Sequence, residues 1–471
     1  MDKIVEDLHA WIDAHKDEMV TALQGVLRIR SVQGDPQPNA PFGAGCREAL
    51  DYTLNLCQSL GYSTHDDEGY AGHAEFGEGA EMVAALGHLD VVPEGDESSW
   101  TFPPYGATIP YNTYIYARGA ADDKGPTYAA LFGATALLKS GVPLSRRVRL
   151  VFGCNEESGF ECVKHYWEVS KNERPVAAFT PDSRFPLIYA EKGIANLVLQ
   201  HPLPETASSL SLKSFAGGSR PNIVPDSANA LITSDTPIAL DTATYRLMKF
   251  WDRNVSIKTS PEGLHIHAVG KSAHGARPEG GDNAVARLAR AISWLQIPEW
   301  EPLLSWINKS ADTAGVTLGI AHTDEVAGPL TSNLGIACTT ETGEIKLTYN
   351  IRYPVTWSIQ PLLDRLAPVI ETAGCRLAEH EDQPPLYVPL DQEPVATLLR
   401  VYQEETGDTT STPGTMGGGT YARATPNAVA YGSNFPGGND GPAHEPDEKI
   451  AIDTLVRAAK IYAHALYELA K

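Results

Sequence analysis

At 471 residues the chain is longer than one hydrophobic core organises, so two domains, or one domain carrying a large insertion, are expected. Its 37 lysines and arginines stand against 59 aspartates and glutamates, a net charge of −22. That field repels phosphate backbones and anionic lipid surfaces, which argues against nucleic acid or a membrane as partner.

In chain order, the N-terminal stretch M-D-K-I-V-E-D-L-H-A-W-I-D-A-H-K is an amphipathic helix pattern, with Ile4, Val5, Leu8, Trp11 and Ile12 at helical spacing, and not a signal peptide. A Pro/Gly-rich loop (33–45) and a helix over 47–60 follow. Three apolar runs, 82–86, 148–153 and 177–180, predict buried strands, and a helix over 126–140, closed by Gly141, lies between the first two. Strands alternating with helices indicate a mixed, largely parallel α/β sheet flanked by helices. From about residue 190 the texture changes: segments 210–215, 264–269 and 345–351 alternate like half-buried strands, with helices over 283–295 and 360–373 to cover one face. A Gly-rich segment from Thr412 and a final amphipathic helix over 452–470 return to the first texture. The expected organisation is a catalytic α/β domain (1–187 and 383–471) interrupted by an inserted α+β domain (188–382). No window approaches a membrane span. The six cysteines form no C-x-x-C pair, so neither a thiol zinc site nor a disulfide framework is suggested, and the cytoplasm is the expected compartment.

Polar residues stand directly beyond each predicted strand of the first texture. His88 and Asp90 follow the first, Asn155-Glu156-Glu157 the second and Pro181-Asp182 the third, while Asp122-Asp123 precede the helix at 126–140. Ligands in open α/β sheets bind beyond the carboxyl ends of the strands, so these groups can converge. Imidazole and carboxylate without thiolate suit zinc, cobalt or manganese at sites that keep a position for water. Singly, each cluster reads as a turn or a helix cap; four after apolar runs in one chain argue for a site.

G-H-L-D-V-V-P, A-R-G-A-A-D-D-K-G, N-E-E-S-G and P-D-S-R-F-P, with G-K-S-A-H-G-A-R-P and G-P-A-H-E-P-D-E further on, resemble the cocatalytic metallopeptidase family of aminoacylases, succinyl-diaminopimelate desuccinylase, glutamate carboxypeptidases and dipeptidases. The long insertion and G-T-M-G-G-G-T-Y-A-R are most similar to the PepV-type bacterial dipeptidase branch. The resemblance implies a catalytic domain with two divalent metal ions, zinc first and manganese or cobalt as alternatives, interrupted by a lid domain. It makes His88 and Asp182 ligands of one ion, Asp122 a bridge between both, and Glu157 and His444 ligands of the other. Asp90 would accept a hydrogen bond from the His88 ring and fix its orientation. Glu156 would be the general base, taking a proton from water polarised between ions about 3.5–4 Å apart. The peptide between Asp122 and Asp123 is expected to be cis.

On the lid, the resemblance makes His274 the group that stabilises the substrate oxyanion, and Asn222 and Arg352 the groups that hold the substrate's carbonyl and terminal carboxylate. A guanidinium fork suits a carboxylate because it can bind both oxygens. Gly417-Gly418-Gly419 lacks the G-K-[ST] of a phosphate loop. It is expected to line the substrate site, where glycine leaves backbone groups unobstructed. Aspartate at position 182, followed by S-R-F-P, is similar to the dipeptidases. The expected activity is therefore hydrolysis of unblocked dipeptides, with an N-acyl amino acid or succinyl-diaminopimelate amidohydrolase as the alternative. The partner is a small peptide substrate, and the chain is expected to be a monomer or a homodimer.

Overall fold

The computed structural model describes residues 2–471, and the chain divides into two compact units. The first takes in the chain up to Ala190, then Tyr387–Gly414 and Gly419–Lys471. The second is Glu191–Leu386 with Thr415–Gly418.

Helices α1 (Lys3–Ala14), α2 (Lys16–Leu27) and α3 (Ala44–Leu60) open the first unit. In α1 the residues at helical spacing are the buried ones, Val5, Leu8 and Ile12, and Asp2 caps the N-terminus by accepting the N–H of Ile4. Strands β1 (Ser63–Asp67), β2 (Ala71–Phe76) and β3 (Met82–His88) follow, then β4 (Tyr114–Tyr116), α4 (Lys124–Ser140), β5 (Arg147–Gly153) and β6 (Ala177–Thr180). The sheet runs β1-β2-β5-β3-β6 and continues through the short strands Ala428–Ala430 and Ile188–Glu191. It is mixed: β5, β3, β6 and Ala428–Ala430 are mutually parallel, whereas β1 and β2 are antiparallel additions at one side and Ile188 pairs antiparallel at the other. All of β3 is buried, as a central strand covered on both faces should be, which is why its sequence is a continuous apolar run.

Helix α4 is buried along every residue from Lys124 to Leu137 and ends at Gly141, whose left-handed φ of 63° suits a glycine C-cap. It packs against the C-terminal helix Ile452–Ala470 so closely that a Cβ on Gly133 would sit 2.6 Å from the Ala459 carbonyl oxygen. A Cβ on Gly87 would collide with Thr127 of α4. The first approach fixes α4 against the C-terminal helix and the second against β3, which holds the segment entering α4 beside the loop that leaves β3.

The second unit is an eight-stranded sheet in the order Val255–Ser260, Gly263–Val269, Ser227–Ser234, Leu210–Gly217, Thr331–Thr339, Glu344–Tyr353, Gly193–Pro202, Arg376–Gln383. Every pairing in it is antiparallel. Alternation along Gly263–Val269 places Leu264, Ile266 and Ala268 in the core. Helix Ala284–Ser293 contributes Leu288 and Ile292 to the same core, and Asn283 caps its N-terminus by accepting the N–H of Val285 and Ala286. No helix among the described residues is long and apolar enough to cross a membrane.

Candidate metal centre

Because β3 lies between β5 and β6 and all three run parallel, their carboxyl ends open side by side. His88 is the last residue of β3, with Asp90 two positions on; Glu156 and Glu157 follow β5, and Asp182 follows β6. Asp122 and Asp123 immediately precede α4, where the helix N-terminus favours negative charge. The peptide joining them is cis. His444 arrives from the C-terminal segment in a left-handed conformation, φ 64°.

The two oxygens of Asp122 face different histidines. Oδ1 is 3.2 Å from His88 Nε2, and Oδ2 is 3.1 Å from His444 Nε2. Glu157 Oε1 is 3.1 Å from the same His444 nitrogen. Donor atoms of His88, Asp122 and Glu157 lie within 4.8 Å of one another, and so do those of His88, Glu156 and Asp182. His88 and Asp90 are 1% exposed, whereas the His444 side chain is 51% exposed, so the centre has a dry side and an open side.

The His88 ring bonds through Nδ1 to the backbone carbonyl of Asp90 at 3.0 Å. A carbonyl only accepts, so in the neutral ring the proton is on Nδ1 and the Nε2 lone pair points at Asp122. The Asp90 carboxylate is 3.5 Å from the ring. It accepts instead from two backbone groups, the N–H of Glu156 at 3.0 Å and of Glu157 at 3.1 Å. Asp90 thus fixes His88 with its main chain and the Glu156-Glu157 turn with its side chain.

Charge crowding is severe. Burial, then repulsion from Asp122, Glu156 and Asp123, pushes the Asp182 carboxyl well above the usual range. Burial, then Glu157, Asp122 and Asp90, does the same to Glu156. Asp122 goes the other way: burial opposes its charge, but His444 and His88, both pushed up by the surrounding carboxylates and so protonated on both ring nitrogens when no metal is bound, donate to it and hold the carboxyl low. Carboxylate oxygens 4.8 Å apart or less repel by at least roughly 3 kcal/mol at an effective dielectric constant of about 20. A divalent cation among them removes that cost, and an N/O donor set with one open side is the kind that zinc, manganese or cobalt accept at a catalytic position. The residues present fit divalent metal, with two candidate donor groups that meet at His88.

Four supporting residues lie within the sequence motifs, and no role for them follows from the motifs alone. Asp123, fully buried, accepts from the His88 backbone N–H and from Thr127 Oγ1. Lys124 donates its ammonium to the carbonyls of Val26 and Ile29 at the end of α2. Arg118 and Glu448 form a buried ion pair at 2.7 Å. Their letters stand in A-R-G-A-A-D-D-K-G and G-P-A-H-E-P-D-E, but apart from Thr127, one turn on from Asp123, their partners are remote in sequence, so only the fold assigns them.

The second unit gathers another set. The Asn222 carbonyl accepts the N–H of Gly275 at 2.7 Å, tying Asn222 to the His274 turn. His274 is exposed and its Nδ1 accepts the N–H of Ala276, which leaves the proton of the neutral ring on Nε2. Arg352, 5% exposed, donates Nε to Asn350 and Nη1 to the Gly417 carbonyl at 3.0 Å. A Cβ on Gly417 would stand 3.0 Å from that of Ala276, so the glycine is packed against the same turn. Gly418 belongs to this unit as well, whereas Gly419 belongs to the first, beside Arg423.

A model of peptidase family M20/M25/M40 matches residues 84–468. A relative from Bacillus subtilis (strain 168), named "Putative dipeptidase YtjP", is 37% identical over 463 residues, 97% of this chain and 98% of its own. Two solved structures show the fold alone. The M20 family metallo-carboxypeptidase Sso-CP2 from Sulfolobus solfataricus matches with a TM-score of 0.58 at 18% identity, over 96% of this chain and 99% of that one. The dipeptidase Dug1p from Saccharomyces cerevisiae matches with a TM-score of 0.58 at 14% identity, over 100% and 99% respectively.

Proposed function

Because the chain belongs to peptidase family M20/M25/M40, we propose that it is a two-metal dipeptidase that cleaves unblocked dipeptides, its second unit acting as a lid. The observation that carries this reading is Asp122 with one oxygen toward His88 and the other toward His444, the geometry of a bridging carboxylate. The 37% identity to a relative named as a dipeptidase supports the substrate class.

In this reading His88, Asp182 and Asp122 hold one ion, and Asp122, Glu157 and His444 the other. Zinc is the proposed metal, with manganese or cobalt able to use the same donors. When bound, the ions act as Lewis acids that polarise the scissile carbonyl and ease deprotonation of the attacking water. Glu156 takes that proton on its carboxylate and passes it to the departing amine. Asp90 keeps Glu156 in place through the backbone N–H it accepts. His274 donates Nε2–H to the oxyanion, Asn222 holds the substrate carbonyl, and Arg352 pairs with the C-terminal carboxylate while Gly417, Gly418 and Gly419 line the site. An acidic centre attracts a free α-amino group, so the site selects for two opposite charges one dipeptide apart. Six unpaired cysteines support a reducing compartment, the cytoplasm.

The test is kcat/KM, with zinc or manganese restored after chelation, for a dipeptide, its N-acetyl form, its C-terminal amide and the matching tripeptide. Only the free dipeptide should be cleaved efficiently. Equal cleavage of the N-acetylated form makes the chain an N-acyl amidohydrolase instead.

A further inference from the structure

Glu448 lies four residues beyond His444 and immediately before the strand Lys449–Ala451, which pairs with β4. It is fully buried, and its main chain and side chain together take in the segment leading to Asp122. Its carbonyl accepts the N–H of Ala117 at 3.1 Å. Its Oε1 accepts the N–H of Ala121 at 2.9 Å and of Asp122 at 3.1 Å. Its Oε2 pairs with Arg118 Nη1 at 2.7 Å, and the Arg118 guanidinium lies over the Trp100 ring, 5.1 Å from its centroid.

A buried carboxylate beside Asp122 adds a negative charge to an already crowded centre, an arrangement that stability alone does not call for. A well-packed apolar pair in place of a buried ion pair is often neutral or stabilising. Apolar side chains could not accept the two N–H groups, however. We propose that Glu448 is a positioning residue for the metal centre: it holds the Asp122 backbone so that the two oxygens of Asp122 divide between His88 and His444. Arg118 is the partner that holds the Glu448 side chain in place, at 2.7 Å from its Oε2. One carboxylate thereby couples the segment carrying His444 to the segment carrying Asp122. The proposal rests on the reading of Asp122 as a shared ligand.

The experiment titrates metal-free protein with Co(II) alone, following affinity and the visible absorption spectrum, with thermal melting in parallel. E448D keeps every charge but draws the carboxylate back by one methylene. R118M/E448L replaces the pair with apolar bulk, and R118M/E448Q restores a carbonyl that can accept the two N–H groups. Folded E448D and folded R118M/E448L should bind Co(II) about 10–100-fold more weakly, the usual range for partners of metal ligands, with altered spectra. R118M/E448Q should recover most of that loss. A folded R118M/E448L with wild-type affinity and spectrum overturns the proposal; if that pair does not fold, an unchanged E448D does so. Asp122→Ala separates the two readings. Full Co(II) binding by that variant refutes Asp122 as a ligand, whereas loss of both ions there with no effect at Glu448 refutes the positioning role only.

Discussion

The carboxylate of Asp90 accepts the backbone N–H of Glu156 at 3.0 Å, spanning the ends of two neighbouring parallel strands. Its other oxygen takes the N–H of Glu157. Asp90→Asn keeps one acceptor and turns an amide donor toward the other N–H. The expected result is a 10–100-fold lower kcat/KM, typical when a partner of the ligands is lost, with the fold intact by circular dichroism. Unchanged kinetics would leave Asp90 a bystander.

The adjacent glutamates separate by their metal content. Glu156→Ala should retain both ions and lose about 10²–10⁴-fold in kcat, the share that general-base catalysis contributes. Glu157→Ala should lose one ion. Elemental analysis is the check, and it is a demanding one, because Glu156 stands within ligand distance of His88 and Asp182. Metal loss in Glu156→Ala would move that residue into the ligand set.

Replacing His274 by alanine should lower kcat by about 10²–10³, as removal of one oxyanion donor does, and leave metal content unchanged. A variant with wild-type kcat reduces His274 to an exposed turn residue.

Away from the centre, His73 on β2 makes stability depend on pH. Burial, with the positive charge of Arg149 and His65 behind it, pushes its ring down to about 3, and the neutral Nδ1 meets the Tyr166 hydroxyl at 2.7 Å. The unfolded chain then binds a proton at His73 at a higher pH than the folded one does. Its contribution is complete above the ordinary value of 6.5 and is lost as pH falls toward 3, by at most about 1.4 kcal/mol per unit. Between pH 7 and 5 the wild-type Tm should therefore fall more steeply than that of His73→Gln. Parallel curves would contradict this.

The central strands were legible because burial on both faces writes a continuous apolar run, as in Met82–His88. Strand β1, S-T-H-D-D, was not: it lies at the sheet margin with three of five residues exposed, and nothing in its composition marks a strand. The N-terminal pattern showed helices but not that the break between α1 and α2 falls at His15. Motif letters pointed to His88, Asp122, Glu157, Asp182 and His444 as candidates. Which atom of Asp90 meets the His88 ring depends on backbone direction after β3: the carbonyl bonds the ring at 3.0 Å while the carboxylate stands 3.5 Å away. Arg118 and Glu448 are 330 positions apart, and no local pattern announces such a pair.

The unequal chain distances between the residues gathered around Asp122 have a consequence for the protein's birth. Only 34 positions separate His88 from Asp122, but 287 separate Glu157 from His444. A nascent polypeptide emerging from the ribosome already carries His88, Asp122, Glu157 and Asp182 while the whole second unit, His444 and the helix that packs on α4 are still untranslated. On the proposed assignment of His444 as a ligand, the second site is completed only in the final stretch of synthesis, and a molecule truncated before residue 444 should bind one ion fewer and lack peptidase activity.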